Sequence, residues 1–202
     1  PQYSQGPQSL ANPLQALMHV CASLHDNDGR VTVPGFYDAV RPPEQWERYE
    51  LSKLPTTEEE YARFLGVADF FPPPGYSSLE AIRFCPTLEF NGVGGGYQGE
   101  GSKTVIPAEA FAKITCRLVP DQKSDDIAEK VKKAIIQACP DAVRVEVDIK
   151  GGGDPYVVIP PGMPGSTGNE TELMKKAFRI AEECIDRGFG SKPIFLREGG
   201  SI

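Results

Sequence analysis

Apolar side chains recur at helical spacing after Asn12-Pro13. Leu14, Leu17, Met18, Cys21 and Leu24 fall on one face, with Gln15 and His19 off the stripe. Asparagine before proline suits an N-cap followed by the first helical position. Asp26-Asn27-Asp28-Gly29 then ends the helix as a turn. Residues 30–86 are less regular. Glu44 to Lys53 and Thr57 to Leu65 predict two short charged helices. The proline run from Phe70 to Tyr76 reads as a surface loop.

The pattern then changes from a period near 3.6 to a period of 2. Thr87 to Asn91 predicts a strand, and Gly92 to Gly101 is glycine-rich. From Ala110 onward, Ala110, Ala112, Ile114, Cys116 and Leu118 share one face. Phe111, Lys113, Thr115, Arg117 and Val119 share the other. Arg117 therefore belongs to the polar face of a half-buried strand. Ser124 is expected to cap the next helix, with Asp125 and Asp126 in its first turn. Ile127, Val131, Ala134, Ile135 and Ala138 form its apolar stripe. In residues 142–150, Val143, Val145, Val147 and Ile149 alternate with Arg144, Glu146, Asp148 and Lys150, which predicts a further strand. After the Pro- and Gly-rich stretch 160–168, Asn169 is expected to cap a helix. Leu173, Ala177, Ile180, Ala181 and Cys184 would face inward and Gly188 would end it. Lys192 to Leu196 predicts a short apolar strand running into Arg197-Glu198-Gly199-Gly200-Ser201.

This order is α+β. An open sheet with helices on one face fits residues 1–155, with an irregular insertion at about 30–86. Residues 156–202 look like one helix and one strand of a different domain.

Composition narrows the function. A chain of 202 residues makes one large domain or one and a half smaller ones. Its net charge of −7, with no stripe of Lys or Arg, argues against a nucleic-acid footprint. No apolar run approaches the roughly 18 residues of a membrane helix. Five cysteines lie in or beside apolar segments without metal-ligand spacing, which suits small hydrophobes in a reducing, cytoplasmic setting. The chain begins at Pro1 without a methionine and stops just after a Gly-Gly-Ser, as expected of a piece of a longer protein.

The candidate chemistry is sparse. Asn91 to Thr104 is rich in glycine, but its Gly-Ser-Lys-Thr leads toward Pro107 and a strand, whereas a phosphate loop leads into a helix. A hairpin connection or a lid-like loop near a ligand fits better. His25-Asp26-Asn27-Asp28 reads as a helix end with an Asx turn, not as metal ligands. The Glu182-Glu183 pair reads as a solvated helix face. With only two histidines, both at one helix, no catalytic triad can be assembled.

Three segments carry a resemblance: ASLHDNDGRVTVPGFYD, PTLEFNGVGGGYQGEGSKTVIPAEAFAKITCRLVP and PIFLREGGSI. Together they resemble the di-zinc exopeptidases, which include carnosine dipeptidases, aminoacylases, glutamate carboxypeptidases and succinyl-diaminopimelate desuccinylase. The dipeptidase branch is the nearest in pattern. The resemblance implies a lid, or dimerisation, domain at 1–155: a four-stranded antiparallel sheet with two helices on one face, ferredoxin-like. Residues 156–202 would begin the returning α/β catalytic domain.

It also implies two zinc ions in the full-length protein, which would activate a water for attack on the scissile carbonyl. None would be bound by this chain, because the family's His-x-Asp, Glu-Glu and later histidine match no position here. Residue by residue, the family's lid threonine is Thr104 and its arginine before the LVP motif is Arg117. Both are implied to bind the substrate carboxylate, and Asn91 could face the same cleft. Gly199, Gly200 and Ser201 are the implied turn that holds substrate near the metals. The implied partners are a dipeptide or N-acyl amino acid and a second copy of the lid, with no nucleic acid and no membrane. The histidine that reaches across the family's dimer has no match near Gln2. The competing reading is a non-catalytic dimerisation or small-ligand-binding module.

Overall fold

A computed structural model describes residues 10–166 and 168–198. The chain divides into two compact units: the described part of 1–40 together with 86–155, and 41–85 together with the described part of 156–202.

In the first unit, helix α1 (Pro13–Ser23) starts as the sequence predicts. The Asn12 Oδ1 accepts from the Leu14 N–H at 3.0 Å, and Pro13 fills the first position. Its most buried face is Ala16, Val20 and Leu24, four residues apart, whereas Met18 of the predicted stripe is exposed. The Asx turn forms as expected: Asp26 Oδ1 accepts from the N–H groups of Asp28 and Arg30 at 3.0 and 2.8 Å. That carboxylate is already engaged by backbone.

Strands β1 (Thr87–Gly95) and β2 (Ala110–Arg117) pair antiparallel, Thr87 opposite Arg117 and Gly95 opposite Ala110, with a register shift between Phe90 and Gly92. The first glycines are thus strand and not hairpin, and the reason is steric. The Phe111 ring lies across Gly94, where a Cβ would come within 2.5 Å of it, and a Cβ on Gly95 would come within 2.8 Å of Ala110. Among the described residues the sheet has two strands, not four. Residues 143–147 keep the alternating burial, and Val145 and Val147 pack on the core. They nevertheless form no ladder: alternation assigns faces, but a strand also needs a neighbouring backbone to pair with.

Helix α5 (Ser124–Ala138) buries Ile127, Val131 and Ile135, as its stripe predicts. Ser124 is its first residue and not its cap. Asp154 performs the capping from outside, accepting from the Ser124 N–H at 2.9 Å. The Lys123 ammonium at 2.9 Å and that backbone bond hold the Asp154 carboxyl below the usual carboxylate range.

Helices α1 and α5 cover the Leu88, Ile114 and Cys116 face of the sheet. The core of Val20, Leu24, Val31, Val33, Phe36, Leu88, Ile127, Val131 and Ile135 lies between them. Gln122, 1% exposed, seals one end of this unit. Its Oε1 accepts from the Val119 N–H at 2.9 Å and its Nε2 donates to the Phe36 carbonyl at 2.8 Å. Gln122→Leu would strand both backbone groups, each worth about 1–3 kcal/mol when buried and unpaired. A fall of that size in urea-unfolding free energy is expected. A loss under about 0.5 kcal/mol would show that water replaces the amide.

The second unit contains α2 (Gln45–Leu51), α3 (Glu58–Leu65), α4 (Ser78–Phe84) and α6 (Glu172–Phe189). The sequence predicts α2 and α3 but not α4, which begins with a capping box of Ser77 and Glu80. Helix α6 differs from the sequence expectation at both ends and along its stripe. Thr171 caps it, its Oγ1 accepting from the Met174 N–H at 3.2 Å, and Gly190 in the left-handed region closes it, so neither Asn169 nor Gly188 takes those positions. The stripe expected to be buried is exposed, with Leu173 at 76%. Phe178, on another side, meets Phe195 at 6.4 Å. Residues 192–196 form no strand among the described residues.

Candidate functional site

The exposed face of the two-stranded sheet is built by the period-2 pattern. Every second residue of β2, Phe111, Lys113, Thr115 and Arg117, is exposed, while the residues between them turn toward the core. Across from them stand Thr87 and Glu89, then Gly92 and Gly94, whose missing side chains leave room for Lys113 and Phe111 to lie over the backbone. Asn91 sits at the register shift, exposed. Its Oδ1 accepts from the Thr115 hydroxyl at 2.6 Å.

Arg117 is on the wet side of the sheet, as its position in the alternation requires. Its direct partner across the ladder is Thr87, a neutral side chain. The nearest acid in the register, Glu89, pairs with Thr115, one diagonal away, a separation of about 7–8 Å. No hydrogen bond or ion pair joins the Arg117 guanidinium to any described residue. Its planar five-donor fork is thus offered to solvent.

Thr104 is exposed in an irregular run that precedes β2, not in the strand itself. No hydrogen bond links it to Arg117. Gly199, Gly200 and Ser201 lie outside the described residues.

Behind Arg117, burial pushes the Cys116 thiol up to about 11, and the Glu89 carboxylate adds to the effect. The thiol is neutral at pH 7, a small hydrophobe as its sequence context implies. Its raised pKa means that folded and unfolded states bind the same proton below the ordinary thiol range. Stability from this group is therefore intact there, and is lost as pH rises from about 9 toward 11. Unfolding midpoints of the wild type and of Cys116→Val should run parallel from pH 7 to 8.5. The wild type alone should lose an extra increment by pH 10.5. Parallel curves throughout would remove the assignment.

In the second unit the last described stretch is tied down by residues that no local pattern joins. Glu47 of α2, 4% exposed, holds Arg197 in a fork: Nε donates to Oε1 at 2.5 Å and Nη2 to Oε2 at 2.8 Å. The same Oε2 accepts from the Glu44 N–H at 2.7 Å. Glu50, also buried, accepts from the Phe195 N–H at 3.2 Å and from Lys53. The Arg197 guanidinium lies 5.1 Å from the centre of the Phe84 ring at the end of α4. Arg83, from the same helix, approaches Glu198 at 3.6 Å. Local patterns give no signal for pairs some 150 positions apart. In sequence, Glu47 and Glu50 look like the solvated face of a charged helix.

No group of three or more His, Cys, Asp or Glu that could hold a metal occurs among the described residues. His25 is engaged edge-on with the Phe90 ring at 5.8 Å.

A two-stranded sheet with two helices on its inner face and, on its outer face, a guanidinium that no described residue engages defines a class: a helix-backed platform. Residues 4–143 match the family described as Peptidase dimerisation domain, and the chain belongs to this family, the dimerisation domain of M20 peptidases. The chain is 30% identical over 202 residues to the Cys-Gly metallodipeptidase DUG1 of Saccharomyces cerevisiae, covering 96% of this chain and 38% of that protein. It is 32% identical over 196 residues to the Beta-Ala-His dipeptidase of Rattus norvegicus, covering 96% and 37%. Among solved structures, the M20 family metallo-carboxypeptidase Sso-CP2 from Sulfolobus solfataricus superposes with a TM-score of 0.74 at 28% identity, over 95% of this chain and 40% of that one. The chain thus spans about two fifths of the length of the curated relatives it matches. No described helix is long and apolar enough to cross a membrane.

Proposed function

We propose that this chain is the lid and dimerisation part of a zinc-dependent dipeptidase or N-acyl amino acid hydrolase, with 1–155 as the lid and 156–202 as the start of the returning catalytic domain. The observation that carries the reading is the exposed Arg117 fork on the outer face of the sheet, which no described residue pairs. Arg117 anchors the substrate's free carboxylate, and Thr104 and Asn91 contribute hydroxyl and amide contacts. Gly199, Gly200 and Ser201 hold the peptide unit. Fixing one end of a short substrate limits the orientations its scissile bond can take, and orientation of this kind supplies a large part of many rate enhancements.

The metal is zinc, two ions, held by parts of the longer protein rather than by the described residues. The lid joins a second copy to make a homodimer. Residues 142–150, of which 143–147 already alternate in burial, complete the family's four-stranded sheet in the assembled protein. The setting is cytoplasmic, in keeping with five cysteines of which none forms a disulfide among the described residues. The test is Arg117→Ala in the full-length enzyme, assayed on a dipeptide and on the corresponding dipeptide amide.

A further inference from the structure

The charged side chains on the outer face of the β1–β2 sheet are Lys113, Glu89 and Arg117, all exposed. Opposite charges a diagonal apart on such a face can pair, at a cost in side-chain freedom. Here they do not. No ion pair joins Glu89 to Lys113, to Arg117 or to any other described residue. The Lys113 stem lies over Gly92, where a Cβ would stand 3.4 Å from its Cδ. Thr87 is opposite Arg117 and Thr115 is opposite Glu89, so the two charges take one diagonal of a square and the two threonines the other. The Thr115 hydroxyl is already committed, donating to Asn91 Oδ1 at 2.6 Å. Two groups of opposite sign thus stand over a floor of short, neutral side chains.

Sign and spacing suit one ligand chemistry. A diagonal across an antiparallel pair is about 7–8 Å long. Two extended residues span at most about 7 Å, so an unblocked dipeptide carries its ammonium and its carboxylate at that separation. An N-acyl amino acid carries the carboxylate alone. We propose that Glu89 receives the substrate's free ammonium while Arg117 takes its carboxylate, so that this face selects unblocked dipeptides over N-acyl amino acids. This rests on the function proposed above and narrows its substrate. Ammonium and carboxylate form charge-assisted hydrogen bonds. With water excluded from a closed site, a Glu89 carboxylate facing an acyl end would lose its hydration and gain no partner, which penalises the blocked substrate.

The test uses the full-length enzyme as wild type, Glu89→Gln and Arg117→Ala, at equal metal content. The two substrates, alanyl-alanine and propionyl-alanine, differ only in the ammonium. Where propionyl-alanine is not turned over, its inhibition constant is read instead. Glu89→Gln is expected to lower kcat/KM about tenfold on alanyl-alanine and to leave propionyl-alanine within about twofold of wild type. Glu129→Gln, which removes an exposed carboxylate from α5, should leave both within about twofold.

A change under about twofold on alanyl-alanine would show that Glu89 meets no substrate charge and would overturn the proposal. A loss as large on propionyl-alanine would overturn it too, because Glu89 would then act through the fold of the sheet. The two readings fail separately, since both substrates carry the carboxylate that Arg117 reads. Losses on both substrates in Arg117→Ala with Glu89→Gln silent would remove the ammonium site alone. A selective loss in Glu89→Gln with Arg117→Ala silent would remove the carboxylate anchor and keep the ammonium site. A wild-type enzyme that hydrolyses no alanyl-alanine would remove both.

Discussion

Arg117→Ala is expected to lower kcat/KM for a free dipeptide by about 10- to 150-fold, the equivalent of the roughly 1.5–3 kcal/mol of a hydrogen-bonded charge pair. The magnitude depends on Arg117 having no competing acid, and no described residue supplies one. Thr87 faces it across the ladder, and Glu89 is a diagonal away, paired with Thr115. Were the guanidinium already bonded to a carboxylate, a substrate would have to displace that partner and the net gain would shrink toward the few tenths to 1 kcal/mol of a cross-strand pair. The dipeptide amide provides the internal control. It has no carboxylate to anchor, so wild type and Arg117→Ala should hydrolyse it at similar rates. A fall under about threefold on the free dipeptide, or an equal fall on the amide, would show that Arg117 does not read the carboxylate. Arg117→Lys should recover only part of the loss, since an ammonium cannot present two parallel N–H donors to one carboxylate.

The second large effect is on stability. Phe36→Ala is expected to cost about 3–5 kcal/mol in the unfolding free energy of the first unit, read from urea denaturation. Phe36 is 1% exposed and sits in the core with Val31, Val33 and Leu88. Its ring meets Tyr37 edge-on at 5.2 Å. Truncation removes the ring and leaves a cavity that neighbours on three different segments cannot all relax to fill. A cost below about 1.5 kcal/mol would mean that the 31–37 segment collapses onto α5, so that Phe36 acts as a replaceable cover for the core.

Phe36 also shows where reading the sequence reached its limit. Residues 30–40 carry no helical or strand period, so they look like the start of an irregular insertion. In the fold they supply Val31, Val33 and Phe36 to the core, because burial depends on which surfaces meet and not on local periodicity. Features governed by neighbours in sequence were legible. The Asn12-Pro13 start of α1, the Asx turn at Asp26, the α5 stripe and the facing of Arg117 all follow from bonds within a few residues or from the fixed periods of helix and strand.

Near misses have the same physical origin. The α6 cap falls at Thr171 and not Asn169, because a cap is chosen by which side chain reaches the first free N–H groups. Ser124 gave up the α5 cap to Asp154, which arrives from 30 positions away. The glycines at 94 and 95 looked like slack in a hairpin, yet they are there to admit the Phe111 ring and Ala110.

The sequence by itself determined the α+β class, the family and the side of the strand on which Arg117 stands, because each follows from short-range periodicity or from a motif read in order. Only the tertiary structure decided that no described residue pairs with Arg117, that the sheet has two paired strands among the described residues, and that Glu47 grips Arg197. Those are outcomes of long-range pairing. Each depends on which of many chemically similar acids, amides and strand edges come within hydrogen-bond distance once the chain is packed, and no local pattern carries that information.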